Sequence, residues 1–433
     1  MSLKLKTTSK TIINDSGFAR LKRLENGATV IIDKVAGLKS ACIGVWVGVG
    51  TRNEDETNNG IAHFLEHLVF KGAGDRNATQ IAEDAEAHGI YLNAATSYER
   101  TGFYARCLAD EIEQAFALCS DLVLRPHFDP KEAELEKNVV LHELNEAFDD
   151  AEDRCSVLNQ MASFDNQPLG RPILGDAQSL AALNIDQIQK FHSAYLNPNN
   201  IIIAFGGAVD ENQSMELANR FFGHLKPSPK VEFAHGIATR KSLFETRRME
   251  QFQVAISTYA PGAGSGEMYA SQIFAGLLGG GMASRLFQDL RERLGLVYGI
   301  DAYTEKYVDI GRFIISAGCA PQNAAEVIKR TMGHIEDLAM NGPDERELMR
   351  AKKTFETAFM MSLENPSSRV NAAISQAFVL GKTLDTDDIS RAIRETTPDE
   401  IKEIATKSLN PAFHSAAAVG KKSGEKALKA FIN

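Results

Sequence analysis

The sequence feature that most constrains the fold is a recurrence at one fixed offset. The tripeptide Leu196-Asn197-Pro198 precedes an apolar segment and recurs as Leu409-Asn410-Pro411, while Pro130, at a candidate helix start, is matched by Pro343. Both pairs are 213 residues apart (411 minus 198, and 343 minus 130). A fixed offset is typical of a duplicated unit. The chain of 433 residues therefore predicts two related domains, since single cores stop growing at about 250 to 300 residues.

The boundary between the two halves is predicted from one stretch of loop composition. The segment Lys226-Pro-Ser-Pro-Lys230, continued to about Ser242, has no apolar periodicity, which is typical of a linker. We therefore predict an N-terminal domain of residues 1–228 and a C-terminal domain of residues 243–433.

Local patterns indicate a mixed fold. Phe18 to Leu24 and Ala28 to Lys34 flank Asn26-Gly27, a pair that favours a tight hairpin turn. Further strand candidates are Ala41 to Gly50, Gly102 to Leu108 and Ile201 to Phe205. Helical stretches alternate with them, so the class is α/β or α+β. The pattern does not choose the order of strands in the sheets.

Composition excludes several kinds of partner. The formal net charge of -10 argues against a nucleic-acid partner, which needs a basic surface. The five cysteines are scattered without a close pair, which favours a reducing compartment and a cytoplasmic location. Met1 to Ser16 contains no apolar stretch typical of a secretory signal. Nowhere does an apolar run reach the roughly 20 residues that a membrane span needs.

The motif that carries chemistry is His63-Phe-Leu-Glu66-His67. Apolar residues mark one helical face around it, namely Ile61, Phe64, Leu65 and Leu68. We expect Asn58 or Asn59 to cap the start of this helix. At about 100° per residue the two histidines lie about 40° apart, so their rings can converge on one metal ion. Glu66 lies beside them and can reach a water molecule held there.

The specificity of this motif is moderate. With 10 histidines in the chain, chance produces the pattern in roughly one sequence in a hundred. The alternative interpretation is a helix face that carries polar residues without any metal. A third ligand on another element would decide between the two, because catalytic zinc usually takes three protein ligands and leaves one position open.

The best source of a third ligand is the helix that Asp129-Pro130 begins. Asp129 suits the cap, Pro130 the first turn, and Glu132 completes a pattern like a capping box. Glu136 and Glu143 are seven residues apart and share a face. On spacing alone four residues compete for the role: Glu136, His142, Glu143 and Glu146.

These residues resemble the inverted zinc peptidases, the family that includes pitrilysin, insulin-degrading enzyme and the mitochondrial processing peptidase. In that family the third ligand is a glutamate 76 residues after the second histidine, and 67 plus 76 gives 143. The resemblance therefore implies that His63, His67 and Glu143 bind one zinc ion per chain. It implies that Glu66 is the catalytic base and that Glu136 supports the site.

The resemblance also implies roles outside the two helices. The family has an arginine and a tyrosine seven residues apart that bind substrate or the developing oxyanion, which match Arg291 and Tyr298. Without the resemblance, the sequence would indicate only that Arg291 is a charged residue on the surface of a helix and that Tyr298 is a half-buried residue of a strand. Asn93-Ala94 resembles the edge strand on which the family lays its substrate peptide.

The second half is expected to bind no metal. At the offset of 213, three glycines stand opposite the motif's histidines and glutamate, namely Gly276, Gly279 and Gly280. The resemblance implies an α+β fold of two homologous α/β domains, each a mainly antiparallel sheet packed with helices, which form half of a clamshell chamber. The chain length resembles the processing-peptidase branch, so a homodimer is implied.

The sequence therefore predicts a zinc-dependent endopeptidase that hydrolyses short unfolded peptides or presequence-like segments in an enclosed chamber. One rival hypothesis is a noncatalytic peptide-binding or assembly subunit of the same fold. Another is a structural zinc site in a different kind of protein, although structural sites usually have four ligands and often use cysteines.

Overall fold

A computed structural model describes residues 11–14 and 17–432 of the chain. The chain folds into two compact units. The first unit contains Met1–Asn138, Gln178–Phe233 and Ser362–Thr386, and the second contains Val139–Ala177, Ala234–Met361 and Asp387–Asn433. The division passes through one continuous helix, between Asn138 and Val139.

Strands form two large sheets and one short ribbon. The strands of the first half are β1 (Thr11–Asn14), β2 (Arg20–Arg23), β3 (Thr29–Lys34), β4 (Ser40–Val47), β5 (Gly72–Ala73), β6 (Arg76–Asn77), β7 (Tyr91–Thr96), β8 (Thr101–Leu108) and β9 (Ile201–Gly207). Those of the second half are β10 (Ser242–Thr246), β11 (Phe252–Ala260), β12 (Val297–Lys306), β13 (Gly311–Cys319) and β14 (Ser415–Gly420). The ribbon consists of β5 and β6.

Helices make up most of the remaining chain. In the first half they are α1 (Ile61–Leu68), α2 (Ala78–Ala87), α3 (Ile112–Leu124), α4 (Pro130–Asp149), α5 (Ala151–Ser163), α6 (Ala177–Ala182), α7 (Ile185–Ser193) and α8 (Glu211–Phe222). In the second half they are α9 (Met268–Gly279), α10 (Ala324–Asn341), α11 (Glu345–Ser362), α12 (Pro366–Leu380), α13 (Thr386–Glu395), α14 (Pro398–Ser408) and α15 (Glu425–Ile432). A π-helix spans Phe287–Arg293. No helix in the described part of the chain is both long and apolar enough to cross a membrane.

The first sheet has seven strands in the order β1-β2-β3-β9-β4-β8-β7. Neighbouring strands in this sheet are antiparallel, except that β3 and β9 are parallel. The predicted hairpin is confirmed: β2 and β3 pair around Asn26-Gly27, and Gly27 has a φ of 101°. Glycine suits this position because positive φ costs it no steric strain.

The second sheet repeats the topology of the first. Its order is β10-β14-β11-β13-β12, with one parallel pair, β10 and β14. In the first sheet β3-β9-β4-β8-β7 has the same order and the same single parallel pair. The recurring tripeptides form the same hydrogen bond in both halves. Just before β9 the side chain of Asn197 accepts from Asn199 N, and just before β14 the side chain of Asn410 accepts from Ala412 N. The predicted fold class and duplication are confirmed.

Each sheet is covered on one face by a helix from the opposite half of the sequence. Helix α12 packs against β3, β4 and β9, where Val370, Ala373 and Ile374 are buried. Its Arg369 donates to both carboxylate oxygens of Asp33, at 2.6 and 2.8 Å. Helix α5 packs in the same way against β10, β11 and β14. The sequence-based limits of 1–228 and 243–433 follow chain order, so they miss this exchange, because nothing in the local pattern of an amphipathic helix specifies which sheet it covers.

The predicted linker contains no helix or strand between residue 226 and the start of β10. Polar side chains nevertheless hold it in place. Val231 N donates to Asn200 Oδ1 at 3.2 Å within the first unit. In the second unit, Ile237 and Gln167 exchange two hydrogen bonds of 2.8 Å each.

Candidate metal centre

Helix α1 presents the histidine motif on its half-buried face. Ile61, Phe64, Leu65 and Leu68 are buried, as the apolar periodicity predicts. His63, Glu66 and His67 occupy the other face and are partly exposed. The rings of the two histidines lie 4.6 Å apart between centroids. Core packing on one side of the helix therefore aims the polar groups to the other.

The start of α1 differs from the sequence-based expectation. The residue at the cap is Gly60, with a φ of 90°, and neither Asn58 nor Asn59 caps the helix. Instead the buried carboxylate of Glu54 accepts from the backbone N–H groups of Gly60 and Ala62, both at 2.8 Å. Asn58 accepts from Asp55 N within the preceding loop. A carboxylate at this end also complements the helix dipole.

Helix α4 begins as predicted. The side chain of Asp129 accepts from Lys131 N at 2.7 Å and Glu132 N at 3.2 Å, which caps the helix. Just before it, Phe128 is buried and adopts a φ of 51°, an unusual conformation for a residue with a side chain. This sharp turn directs the chain into the helix.

Backbone pairing connects the segment after α1 to the segment before α4. His127 N donates to Gly72 O at 2.9 Å, and Gly74 N donates to Arg125 O at 2.9 Å. Ala73 and Pro126 form an isolated bridge between these bonds. These bonds join segments adjoining the two helices, so the start of α4 is fixed relative to the end of α1.

Glu136 of α4 reaches the second histidine of the motif. Its Oε1 lies 2.9 Å from Nδ1 of His67, and its Oε2 lies 2.6 Å from Nζ of Lys71. Glu136 is only 4% exposed. A carboxylate on Nδ1 fixes the orientation of the ring and leaves Nε2 for another partner.

Glu143 follows Glu136 by two turns of the same continuous helix. The structure brings together three possible metal ligands: one ligand atom from each of His63, His67 and Glu143, all within 4.8 Å of one another. No other such group is found in the described part of the chain. The competing candidates His142 and Glu146 are outside the group. Glu66 is outside it as well, although it is on the same helix as the two histidines.

The chemistry of this donor set fits zinc. Burial, with a smaller contribution from the nearby His67, lowers the pKa of His63 to about 4. His63 is therefore neutral near pH 7, the form in which an imidazole binds a metal. Two imidazole nitrogens and one carboxylate oxygen are a three-ligand set that zinc accepts while a fourth position stays open.

The remaining predicted residues lie elsewhere in the chain. Asn93 and Ala94 are in β7, an edge strand of the first sheet, where the Asn93 side chain accepts from Ala94 N at 2.9 Å. Arg291 is in the π-helix of the second unit, with its guanidinium 4.7 Å from the centroid of the Phe287 ring. Tyr298 is the second residue of β12 and is 67% exposed, more than the half-buried strand residue that its sequence context indicates. Their roles in substrate binding stay predictions.

The three glycines opposite the motif have no side chain that could bind a metal. Gly276 and Gly279 are in α9, and Gly280 is its C-cap. A Cβ on Gly279 would lie 2.5 Å from the backbone nitrogen of Ala302. This glycine therefore allows α9 to pack directly on β12.

The sequence did not predict that Glu54 and Lys71 contribute to the centre. Lys71 follows His67 by four residues, so helical spacing alone indicates that the two side chains are neighbours. Glu54 has no such signal, because its acceptor contacts depend on the conformation of the loop that precedes Gly60.

Comparison with known proteins identifies the family. The family model described as insulinase (peptidase family M16) matches residues 29–177, and the model for the peptidase M16 inactive domain matches residues 182–355. An uncharacterized zinc protease of Mycobacterium tuberculosis is 33% identical over 419 residues, which cover 94% of each chain. The chain belongs to peptidase family M16.

Other M16 relatives agree with this assignment. The uncharacterized zinc protease YmxG of Bacillus subtilis is 30% identical over 387 residues, covering 88% of this chain and 93% of YmxG. The crystal structure of a protease from Helicobacter pylori has a TM-score of 0.85 at 20% identity and covers 93% of this chain and 99% of that one. A peptidase M16 inactive domain structure from Pseudomonas fluorescens has a TM-score of 0.83 at 18% identity, with coverage of 93% and 98%. These two likenesses show the fold. The predicted resemblance to the family is confirmed, and the processing-peptidase branch stays a prediction.

Proposed function

We propose that this M16 chain is a zinc-dependent endopeptidase that hydrolyses short unfolded peptides. The observation that carries the proposal is the convergence of His63, His67 and Glu143, with ligand atoms within 4.8 Å of one another, beside Glu66 on the same helix. The names of the relatives as zinc proteases support the same activity.

His63, His67 and Glu143 would hold the zinc ion. Bound there, zinc would act as a Lewis acid that polarises the carbonyl of the scissile peptide bond. Glu136 would keep His67 oriented through the 2.9 Å contact to Nδ1. The buried, neutral state of His63 supports this assignment, because protonation of that ring would compete with the metal.

Glu66 would act as the general base. Its carboxylate takes a proton from the water that attacks the scissile carbonyl and returns the proton to the leaving amine. Such a base contributes on the order of a hundred- to ten-thousandfold to the rate. Glu66 is on the same helix as the two histidines and is not among the ligand group, which supports a role in proton transfer rather than as a ligand.

The peptide would bind by its backbone. Strand β7 is at the edge of the first sheet, where an extended peptide adds as a further strand with little dependence on sequence. Asn93 and Ala94 are in this strand. Arg291 and Tyr298 would contact substrate or the developing oxyanion. We also propose that the chain works as a homodimer with an enclosed chamber.

The deciding experiment compares cleavage of a mixed library of unstructured peptides by wild type, Glu66→Gln and Glu146→Gln. Glu146 is an exposed glutamate of α4, so its variant controls for the loss of one carboxylate. We expect wild type and Glu146→Gln to cleave, chelator to stop them, and Glu66→Gln to lose at least a hundredfold in rate while it still binds zinc.

The rival hypotheses give different outcomes in the same experiment. Zinc-loaded wild type that binds peptides without cleaving them would indicate a noncatalytic subunit. Full activity of Glu66→Gln would refute the assignment of the base. Cleavage sites next to basic residues would favour the processing-peptidase branch, and scattered sites would favour general peptide clearance.

A further inference from the structure

Lys71 forms the outer end of a three-residue chain that leads to the candidate metal centre. Its Nζ lies 2.6 Å from Oε2 of Glu136, and the other oxygen of that carboxylate lies 2.9 Å from Nδ1 of His67. Each oxygen of Glu136 therefore has its own partner. Two contacts on opposite oxygens fix the plane of a carboxylate, whereas one leaves it free to rotate.

The Glu136 side chain needs a positive partner because it is only 5% exposed. A carboxylate removed from water is costly unless it is paired and hydrogen-bonded. His67 is neutral when it binds a metal, so it contributes a hydrogen bond and no charge. Among the residues that the structure describes, the lysine that pairs with Glu136 is Lys71, whose side chain is 31% exposed and keeps contact with water.

The backbone around Lys71 is held in place. The short helix Val69–Lys71 continues α1 and ends at Gly72. Gly72 O accepts from His127 N at 2.9 Å, and a Cβ on Gly72 would collide with the ring of His127. The stem of Lys71 therefore starts from a fixed position one helical turn beyond His67.

We infer that Lys71 is a positioning residue for the metal centre, which acts through Glu136 on the ring of His67. This inference rests on the proposed zinc site. Removing Lys71 leaves Glu136 with one partner, so the carboxylate turns away from His67 and the ring is less often oriented for the metal. The effect is on metal affinity, since the ion pair of Lys71 is with Glu136, which is not itself a proposed ligand.

The test measures zinc affinity of the metal-free, full-length protein by competition with a chromophoric chelator. The variants are Lys71→Met, Lys71→Arg, Glu136→Gln and the double variant Lys71→Met with Glu136→Gln. Lys137→Met is the matched control, because the Nζ of this helix α4 lysine donates to Glu134 Oε1 at 2.8 Å and to Ala181 O at 3.5 Å, and neither acceptor belongs to the centre. Circular dichroism melting of each metal-free variant establishes that it is folded.

We expect Lys71→Met to weaken zinc binding about tenfold, the lower end of the range for direct partners of metal ligands, because Lys71 acts one contact further out, through Glu136. Lys71→Arg should restore most of the affinity, and Lys137→Met should not change it. Because Lys71 acts through Glu136, the double variant should bind zinc no more weakly than Glu136→Gln alone. Additive losses in the double variant, or wild-type affinity in a folded Lys71→Met protein, would overturn the inference.

Peptide cleavage does not enter these measurements. A wild-type protein that binds zinc and cleaves no peptide would refute the proposed activity and leave the role of Lys71 intact. The two hypotheses therefore fail on different results.

Discussion

The buried carboxylate of Glu54 accepts the backbone N–H of Gly60 at 2.8 Å. The same carboxylate accepts from Ala62, so it satisfies two donors at the start of α1. Gly60 itself has a positive φ and no side chain with which to cap the helix. The helix that carries the histidine motif therefore depends on a residue that is six positions before its cap.

Replacing Glu54 by glutamine removes the charge and keeps only one acceptor oxygen. We expect Glu54→Gln to lower the free energy of unfolding by about 1 to 2 kcal/mol, the usual worth of a helix cap. Urea unfolding of the metal-free protein measures this loss. Glu56→Gln, at an exposed position of the same loop, is the control, and an equal effect of both variants would contradict the role of Glu54.

Zinc content should distinguish Glu143 from its neighbours on α4. Loss of a residue that only contacts a ligand weakens zinc binding roughly 10- to 100-fold. Glu143→Gln should weaken it by more than this, because the substitution removes a charged ligand. Metal analysis after dialysis should give about one zinc per chain for wild type and for Glu146→Gln, and much less for Glu143→Gln. Equal stoichiometry in all three proteins would show that Glu143 is not a ligand.

The stability of the metal-free protein should depend on pH through His63. Its pKa in the folded state is about 4, lowered by burial and then by His67 from an ordinary 6.5. Between these two pH values the His63 side chain binds more protons in the unfolded chain than in the folded protein. The free energy of unfolding is therefore undiminished by this residue above about pH 6.5 and decreases as the pH falls toward 4. A shift of this size corresponds to a loss of about 3 kcal/mol in full, of which about 2 kcal/mol is reached at pH 5.

Urea unfolding at pH 7 and pH 5 tests this dependence when wild type is compared with His63→Asn. Burial also lowers the pKa of His192 and His414, so both proteins should lose stability at pH 5. Wild type should lose more. An identical loss in the two proteins would show that His63 titrates normally.

Gly72 should tolerate no side chain. A Cβ there would collide with the His127 ring, which itself contacts Gly74 O at 2.7 Å. Gly72→Ala should therefore separate the paired segments and cost about 1 to 3 kcal/mol, as overpacking usually does. It should also weaken zinc binding. Gly266→Ala is the control, because a Cβ there would meet no atom within 4 Å and the backbone is not in the left-handed region.

The five cysteines should be unreactive in the native protein. All are free and buried, and burial raises the pKa of each thiol, for example to about 12 for Cys107 and Cys155. Thiolate is the reactive form, so a thiol reagent near pH 8 should label all five only after unfolding. Rapid labelling of a native thiol would contradict this burial.

Features that depend on neighbouring residues were predictable from the sequence. The hairpin at Asn26-Gly27 and the start of α4 at Asp129-Pro130 follow from turn and capping preferences of short segments. The helix that carries the histidine motif follows from apolar periodicity. The choice of Glu143 over His142 and Glu146 came from the resemblance to the family, since spacing alone left all of them open.

Features that depend on the folded chain were not predictable. The pairing of Lys71 with Glu136 joins residues 65 positions apart (136 minus 71), and no local rule connects them. The cap of α1 was wrongly assigned to Asn58 or Asn59, because the rule for caps considers only the residue next to the helix. The order of strands was not predicted either, since strand periodicity identifies a buried face and not a neighbour.

The covering of the first sheet by α12 has a consequence for how the chain is made. Residues 17–207 contain nearly all the strands of that sheet, but Val370, Ala373 and Ile374 reach it only after most of the chain has been synthesised. Contacts of such long sequence range slow folding, and apolar surface that waits for a partner is prone to aggregation. A nascent chain that has emerged only as far as the linker therefore exposes the face around Ile31 and Trp46, a surface that a chaperone would recognise.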